Sequence, residues 1–384
     1  MKSNSQFDEI INRRGTACVK WDSDSLLPFW VADMDFKAPP AALEALRGRL
    51  EHGVFGYTMR PDTLMGALQG WFARRHNWEI AADTVLEVPG IVPFFHVYIQ
   101  HFTEPGEAVV ISEPVYSPFR MAVERNGRRI ADNPLVRAKD GIWRMDIDGL
   151  ERVIDASRAR TLFLCSPHNP VGRVWREEEL LRLGELCRAK GVTVISDEIH
   201  GDLVQPGYRH RPWLSLPENG LPRSVGLVST TKTFNLPGLN TAWAIVPDED
   251  LRHNLKKVYG NLGAGEGCGN PFTYAAVEAA WREGDSWLNE LLEYTGKNFS
   301  RLCEYFSGSG VEIAPLEATV LAWMDFTALG LSDEELWKRM LNAGVRLSRG
   351  SLFGRGGELH LRMNLACPLS RLNEGLKRME GLRA

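Results

Sequence analysis

Four short, uninterrupted apolar segments divide the middle of the chain, and stretches with helical periodicity separate them. Between the second and third segments, residues 177–190 place leucines on one helical face. Uninterrupted apolar strands that alternate with helices are typical of a parallel sheet covered on both faces. We therefore predict a three-layer α/β/α domain with a mostly parallel sheet. The predicted strands are residues 109–111, 161–164, 192–195 and 225–228.

The pattern changes after about residue 285, where helical and strand-like stretches no longer alternate regularly. This α+β pattern predicts a second, smaller domain, with an apolar N-terminal segment at residues 26–36 packed on it. We predict a large domain at residues 50–285 and a small domain formed by residues 1–49 and 286–384. The predicted elements of the latter are helices at 287–306, 334–341 and from 370, and strands at 318–326 and 359–365.

Composition excludes several function classes. Apolar residues make up 44% of the chain and charged residues 24%, which is ordinary for a folded, soluble protein. A net charge of −4 gives no electrostatic case for binding nucleic acid or an anionic membrane. The chain shows neither a signal peptide nor a membrane span, so we expect a cytoplasmic protein. Six scattered cysteines lack metal-ligand spacing, so we expect reduced thiols and no metal: Cys18, Cys165, Cys187, Cys268, Cys303 and Cys367.

Polar residues come directly after three of the predicted strands. Asn169 follows the second strand, Asp197 ends the third and Lys232 follows the fourth. Ligands of open parallel sheets bind at the carboxyl ends of the strands. We therefore expect these three side chains to meet at one edge of the sheet.

Lys232 stands among hydroxyl residues at the end of an apolar run. A partly buried lysine loses basicity and becomes a nucleophile, which can hold an aldehyde cofactor as a Schiff base. The hydroxyls of Ser229 and Thr231 suit the phosphate of such a cofactor. A solvated lysine in a Ser/Thr loop is the alternative interpretation of these residues alone.

The larger pattern resembles the fold type I pyridoxal 5'-phosphate (PLP) enzymes, the aspartate aminotransferase superfamily. Asp197 lies 28 residues after Asn169, Lys232 lies 35 residues further on, and Arg362 another 130. Other segments resemble one branch, the MalY/PatB group of cystathionine β-lyase-like carbon–sulfur lyases. They are residues 7–16, 19–22, 29–36, 53–57 and 197–200.

The resemblance implies PLP as cofactor and an aspartate aminotransferase-like fold. Lys232 would form an aldimine with the cofactor and then remove the Cα proton of the substrate. Asp197 would keep the pyridine nitrogen protonated, although a carboxylate there also suits a helix N-cap. Asn169 would donate to the phenolic oxygen, with an Asx turn as its structural alternative. Tyr116 would stack on the ring, or simply pack.

The remaining implied contacts concern the phosphate, the substrate and a second subunit. Free amides at the start of a predicted helix would bind the phosphate together with Ser229 and Thr231. Arg362 would bind the substrate α-carboxylate. The resemblance also implies a homodimer with shared active sites. Gly90, Ile91 and Val92 would supply the amides for the phosphate, and Tyr57 would reach the phosphate of the neighbouring subunit. Ala32 and Asp33 would lie beside Arg362 in the substrate pocket. His200 would lie beside the phenolic oxygen, or have a structural role.

Two positions depart from the patterns of the superfamily. Asn240 stands where aspartate-type aminotransferases carry a phosphate-binding arginine, eight residues after the lysine. Met59 stands where related lyases often have an arginine, two residues after Tyr57, and Arg60 comes next. The phosphate would then be bound by amides, hydroxyls and a helix dipole, each charged hydrogen bond contributing roughly 1.5–3 kcal/mol.

Three functions fit this sequence. The first is a PLP-dependent β-lyase that cleaves cystathionine, cysteine or a cysteine S-conjugate to pyruvate, ammonia and a thiol, through a Cα carbanion. The second is a class I/II aminotransferase, since the same residues serve both reactions. The third is a regulatory protein that binds a transcription factor, although no basic DNA-binding segment is present. Trp243, Trp323 and Arg349 are candidates for the side-chain pocket.

Overall fold

The computed structural model describes residues 5–217, 221–264 and 269–382. Within them the helices are α1 (Pro40–His52), α2 (Asp62–His76), α3 (Ile91–Phe102), α4 (Pro118–Arg125), α5 (Ile147–Ser157), α6 (Glu177–Lys190), α7 (Thr230–Thr233), α8 (Glu249–Asn261), α9 (Pro271–Glu283), α10 (Asp285–Phe306), α11 (Asp333–Asn342) and α12 (Leu369–Arg378). The strands are β1 (Leu27–Pro28), β2 (Val85–Val88), β3 (Ala108–Ile111), β4 (Arg129–Asp132), β5 (Val136–Arg137), β6 (Trp143–Arg144), β7 (Thr161–Cys165), β8 (Thr193–Asp197), β9 (Ser224–Val228), β10 (Ala242–Ile245), β11 (Glu312–Ile313), β12 (Leu321–Asp325), β13 (Val345–Arg346), β14 (Ser348–Arg349) and β15 (His360–Asn364).

A seven-stranded sheet in the order β2-β10-β9-β8-β7-β3-β4 forms the centre of the larger part. The strands β9, β8, β7, β3 and β4 run parallel, and β10 is antiparallel to both of its neighbours. Every residue of β3, β7 and β9 is buried, as expected for strands covered on both faces. The predicted mostly parallel α/β fold is confirmed, and the four predicted strands are β3, β7, β8 and β9.

A four-stranded antiparallel sheet in the order β11-β12-β15-β14 forms the centre of the C-terminal part. Its buried core includes residues of α10, α11 and α12. Strand β1 of the N-terminal segment pairs with β13, so this segment lies on the C-terminal part as expected. Helix α1, most of which the predicted division assigns to the small domain, packs instead against α9. The exact division at residues 49 and 285 stays a prediction.

Large aromatic side chains fill much of the interior. Six of the twelve tryptophans are fully buried. Each buried aromatic side chain removes about 150–250 Å² from water, worth roughly 4–6 kcal/mol before the loss of side-chain entropy. These tryptophans therefore stabilise the two core clusters that share one face of the large sheet. They are Trp71, Trp175, Trp213, Trp243, Trp281 and Trp323.

The described helices and cysteines carry no sign of a membrane anchor or a disulfide. None of the helices in the described ranges combines the length and apolar character needed to cross a bilayer. Five cysteines in these ranges are free thiols, and Cys268 lies outside the described residues. The described side chains include no cluster suited to a metal ion. The cytoplasmic location stays a prediction.

A buried ion pair joins the loop after β7 to the C-terminal part. Arg173 Nη1 donates to Glu317 Oε2 at 2.5 Å, and both residues are less than 5% exposed. The same carboxylate oxygen accepts from the amide of Val174 at 2.9 Å. This loop also carries Asn169, so the pair helps hold one wall of the candidate site in place.

We expect Glu317→Ala to lower the free energy of unfolding by roughly 1.5–3 kcal/mol, because Arg173 and the amide of Val174 lose a buried charged acceptor while Glu179 stays bound to Arg173. Urea denaturation of the variant measures this change. The control is Glu44→Ala, which removes an exposed partner of Arg47 and should cost no more than about 1 kcal/mol. Equal losses in the two variants would show that the buried pair does not stabilise the fold.

Candidate active site

A cavity of about 500 Å³ opens at the carboxyl ends of the central parallel strands. It collects residues from the loops after β7, β8 and β9, as the strand-end positions predicted. Its lining consists of Ala32, Pro89, Gly90, Ile91, Val92, Pro93, Tyr116, Cys165, Asn169, Asp197, Ile199, His200, Ser229, Thr231, Lys232, Pro237, Asn240 and Thr241.

Lys232 lies in the short helix α7, directly after the buried strand β9. Ser229 caps this helix, since its Oγ accepts from the amide of Thr231 at 3.2 Å. Burial lowers the pKa of the Lys232 amine, while the negative charges of Asp33 and Asp197 act in the opposite direction. A larger fraction of this amine is therefore neutral and nucleophilic than in a solvated lysine.

Asp197 is the last residue of β8 and is 4% exposed. Burial, with a contribution from the charge of Glu198, raises the pKa of its carboxyl group to about 7. The amide of Ile199 donates to Oδ1 at 3.1 Å, but no ion pair joins this carboxylate to a cation in the described residues. A buried carboxylate in this state is stabilised by a ligand that presents a proton or positive charge.

Arg362 projects from β15 and binds only neutral groups within the described part of the chain. Its Nη1 donates to Asn169 Oδ1 at 2.9 Å, and its Nη2 donates to Trp30 O at 2.9 Å and to Ser348 Oγ at 3.1 Å. The Nε atom is buried without a hydrogen-bond partner. Burial lowers the pKa of the guanidinium to about 10, so it is still cationic near neutral pH. The site thus contains a buried cation suited to a carboxylate ligand.

The contact with Arg362 also orients Asn169. Because Asn169 Oδ1 accepts from the guanidinium, its Nδ2 group is left to donate elsewhere. Asn169 lines the cavity beside Tyr116, whose amide donates to Asn169 O at 3.1 Å. The structure therefore brings together the amide donor and the aromatic ring to which the resemblance assigns contacts with the cofactor.

His200 also lines the cavity, and its Nδ1 is buried without a hydrogen-bond partner. Burial, with the positive charges of Lys232 and Arg362, lowers the pKa of the imidazole to about 3. At neutral pH this imidazole is uncharged. It can therefore offer one donor or one acceptor to a ligand in the cavity.

Part of the cavity lining has the features of an anion site. Gly90 precedes α3, so the first amides of this helix, including those of Ile91 and Val92, have no acceptor within the helix. The hydroxyls of Ser229 and Thr231 lie 2.9 Å apart and line the same cavity.

Other predicted residues lie at or beyond the rim. Ala32 lines the cavity, whereas the Asp33 carboxylate binds Arg13 Nη2 at 2.5 Å. Tyr57 is fully exposed in the single chain and lies outside the cavity. The three candidates for the side-chain pocket do not line it either. Trp243 packs on Trp281, Trp323 stacks on His360, and Arg349 pairs with Asp333.

Sequence reasoning missed several residues that contact the site. Thr241 lines the cavity and its Oγ1 is buried without a hydrogen-bond partner. Ser348 supports Arg362, and the thiol of Cys165 accepts from the amide of Asn169 at 3.4 Å. The position of Thr241, beside Asn240, was the available signal. For Ser348 no local signal exists, because its contact depends on the pairing of β14 with β15.

These residues fit PLP by their chemistry. The buried amine of Lys232 suits an aldehyde, and the unpaired carboxylate of Asp197 suits a protonated ring nitrogen. The amides at the start of α3 and the unpartnered Thr241 hydroxyl suit a phosphate. Asn169 has a free donor for the ring oxygen.

Comparison with known proteins gives a family match over most of the chain. The family model described as aminotransferase class I and II matches residues 26–379. The protein described as cystathionine beta-lyase PatB from Bacillus subtilis is 43% identical, over 97% of this chain and 98% of that protein.

Two solved structures are similar along their full length. A PLP-bound putative aminotransferase from Clostridium difficile has a TM-score of 0.95 and 37% identity, covering 99% of this chain and 100% of that one. Cystalysin from Treponema denticola, whose structure contains a pyridoxal 5'-phosphate cofactor, has a TM-score of 0.93 and 32% identity, covering 98% of both chains.

The raised pKa of Asp197 has a measurable consequence for the cofactor-free protein. A carboxyl group whose pKa is raised on folding contributes stability at low pH that is lost as the pH rises through the folded value. Between pH 5 and pH 8 we expect the wild type to lose about 2–3 kcal/mol of stability relative to Asp197→Asn. Urea denaturation at both pH values measures the difference.

The control for this measurement is Asp140→Asn. Asp140 is exposed, and its hydrogen bonds with Arg144 lower the pKa of its carboxyl group to about 2. The Asp140 carboxyl group is then ionised above pH 5 in both the folded and the unfolded protein. The free energy of unfolding of Asp140→Asn should therefore change with pH as that of the wild type does. If the free energy of unfolding of Asp197→Asn also changed with pH as that of the wild type does, this would contradict the burial of an unpaired carboxylate at Asp197.

Proposed function

This chain belongs to the aminotransferase class I and II family, and we propose that within it the protein is a carbon–sulfur β-lyase. Its substrate class is cystathionine, cysteine or a cysteine S-conjugate, and its products are pyruvate, ammonia and a thiol. The cofactor is pyridoxal 5'-phosphate, which the related structures contain. Cystathionine beta-lyase PatB, similar over nearly the whole chain, supports the choice of reaction.

The observation that best supports an amino-acid substrate is the positive charge of Arg362, which is buried and unpaired in the described part of the chain. It is a buried cation with only neutral partners in the described residues, and its partner Asn169 lines the same cavity as Lys232. An α-carboxylate would supply the missing negative charge with a two-pronged hydrogen bond. The amides of Ala32 and Asp33, which bond to no other described residue, would add donors.

The residues of this chain have separate tasks in the proposed reaction. When bound, PLP supplies an electron sink for negative charge that develops at the substrate Cα. Asp197 would hold the proton on the ring nitrogen, and Asn169 Nδ2 would donate to the ring oxygen. Tyr116 would pack against the ring. Gly90, Ile91, Val92, Ser229 and Thr231 would bind the phosphate, and His200 would bind near the ring oxygen.

Lys232 moves the proton on which β-elimination depends. Its lowered pKa lets the neutral Nζ remove the Cα proton of the bound amino acid. The Cβ–S bond then breaks, and the electron pair leaves with the sulfur as a thiolate, which takes up a proton. Water completes the conversion of the remaining three-carbon fragment to pyruvate and ammonia.

An aminotransferase is the second candidate. The related structure from Clostridium difficile is described as a putative aminotransferase. Every residue assigned above serves both reactions, because both begin with removal of the Cα proton. The reactions differ afterwards, when the carbanion either expels sulfur or is reprotonated elsewhere.

We also propose a homodimer in which the subunits share their active sites. Tyr57 lies in an exposed stretch that includes Val54, Phe55 and Met59. Several neighbouring exposed apolar side chains are typical of a covered interface. Tyr57 would reach the phosphate bound by the neighbouring subunit.

Incubation with L-cystathionine should yield pyruvate and homocysteine in equal amounts. The enzyme should stay active over many turnovers instead of stopping after one. Pyruvate is measured with lactate dehydrogenase and the thiol with Ellman's reagent. Lys232→Ala should reduce kcat by at least about 10³-fold, since it removes the base that takes up the Cα proton. A keto acid without thiol, accompanied by pyridoxamine phosphate, would instead establish the aminotransferase.

Mixed dimers test the shared site. In a mixed dimer of Tyr57→Phe and Lys232→Ala subunits, both defects fall in the same composite site, so the other site retains both native residues. Unfolding and refolding an equal mixture should therefore give more activity than either variant alone. A mixture of Lys232→Ala with Asp197→Ala is the control. Lys232 and Asp197 line the cavity of their own subunit, so each site of this mixed dimer carries one defect and neither is intact. Equal activity in the two mixtures would contradict the shared site.

A further inference from the structure

An extended segment lies between the C-terminal sheet and the turn that carries Lys232. We call residues 29–36 the strap and residues 229–236 the lysine turn. The strap is bound to the C-terminal part through its backbone carbonyls. Arg362 Nη2 donates to Trp30 O at 2.9 Å, and Asn364 Nδ2 donates to Val31 O and to Asp33 O, both at 2.7 Å.

A buried charge cluster fixes the strap further on the same side. The Asp35 carboxylate is fully buried and lies 2.8 Å from Arg13 and 3.2 Å from both Lys20 and Arg371. Lys20 Nζ also donates to Asp33 O at 3.0 Å. The strap is therefore held firmly relative to Arg362, independently of the large sheet.

One side chain makes the hydrogen bonds that join the strap to the lysine turn. Asn235 Oδ1 accepts from the amide of Met34 at 2.9 Å, and Asn235 Nδ2 donates to Met34 O at 3.1 Å and to Phe36 O at 2.8 Å. Within the described residues, every hydrogen bond between strap and lysine turn involves Asn235. Asn235 follows Lys232 by three positions and has φ of 53°, a left-handed conformation that asparagine tolerates.

We propose that Asn235 is a positioning residue that sets the distance between the Lys232 amine and the pocket for the substrate α-carboxylate. This inference rests on the proposed function, because that pocket is the one assigned to Arg362 and the strap. Asn235 touches neither cofactor nor substrate in this assignment. It acts through the two segments that it joins.

The geometry explains why one residue has this effect. Ala32, which lines the cavity, lies between the two carbonyls that bind Asn364, and Asn235 binds the strap two positions further on, at Met34. Loss of the second attachment removes the hydrogen bonds between the strap and the lysine turn and leaves the strap bound to Arg362, so that only apolar packing in a shared core cluster joins the two segments. The carboxylate pocket can then move as a unit away from Lys232. Chemistry at the amine itself is not directly affected.

Two aminooxy reagents separate these effects. Methoxyamine and aminooxyacetate both attack the bound cofactor and bleach the visible absorbance of the holoenzyme, but only aminooxyacetate carries a carboxylate. The ratio of their second-order rate constants reports the carboxylate pocket without turnover. We expect Asn235→Gly, which keeps the left-handed turn, to lower this ratio about tenfold, the equivalent of one hydrogen bond to a charged group. The methoxyamine rate should change less than about threefold, since the pocket plays no part in it.

Two further variants complete the design. Asn235→Asp keeps the side-chain shape but turns a carboxylate oxygen toward Met34 O and Phe36 O, so the ratio should fall here too. Asn77→Gly is the matched control, because Asn77 is also left-handed, with φ of 51°, and ends α2 outside the cavity lining. Its ratio should equal that of the wild type. KM for cystathionine should rise in both Asn235 variants more than kcat falls.

The outcomes are distinct. An unchanged ratio in Asn235→Gly and Asn235→Asp overturns the inference. An equal slowing of both reagents also overturns it, since that indicates general disruption of the site. A wild-type holoenzyme with no visible band, or with no preference for aminooxyacetate, overturns the proposed function and the inference with it. A loss of ratio confined to the Asn235 variants supports the inference.

Discussion

The site depends on charged groups that the fold buries without giving them counter-charges. Arg362 is buried among neutral acceptors, and Asp197 is buried with a single backbone donor. Burial of a charge in this state costs several kcal/mol unless a ligand supplies the partner. A ligand that brings a carboxylate to Arg362 and a protonated ring nitrogen to Asp197 would relieve this cost at both residues.

The parallel sheet is what makes this arrangement possible. Strands β7, β8 and β9 end at one edge, so the residues that follow them meet although they are far apart in sequence. The apolar side chains of these strands are packed in core clusters on both faces of the sheet, which keeps water away from the charged groups at the strand ends. The same burial that stabilises the sheet thus lowers the pKa of Lys232 and raises that of Asp197.

Much of this was predictable, because apolar strands and strand-end residues are local signals. Continuous apolar runs predicted the central strands, and the positions of Asn169, Asp197 and Lys232 after those strands predicted the edge where they meet. The resemblance to PLP enzymes supplied Arg362, which no local pattern identifies. Thr241 and Ser348 escaped prediction because their contacts arise from strand pairing and loop packing. The packing of α1 on α9 escaped for the same reason, since an amphipathic helix does not specify its partner.

The least predictable feature is the strap, and it shows how the two parts of the chain act as one site. Asn235 reads in sequence as an ordinary turn residue, yet its side chain satisfies three backbone groups about two hundred positions away. An amide suits this position because it offers a donor and an acceptor on one rigid plane, whereas a carboxylate offers acceptors alone. The proposed elimination would require that Cα be held over Lys232 while the carboxylate stays on Arg362. These groups come from different sheets, so the accuracy of that alignment depends on the connection between them rather than on either sheet alone.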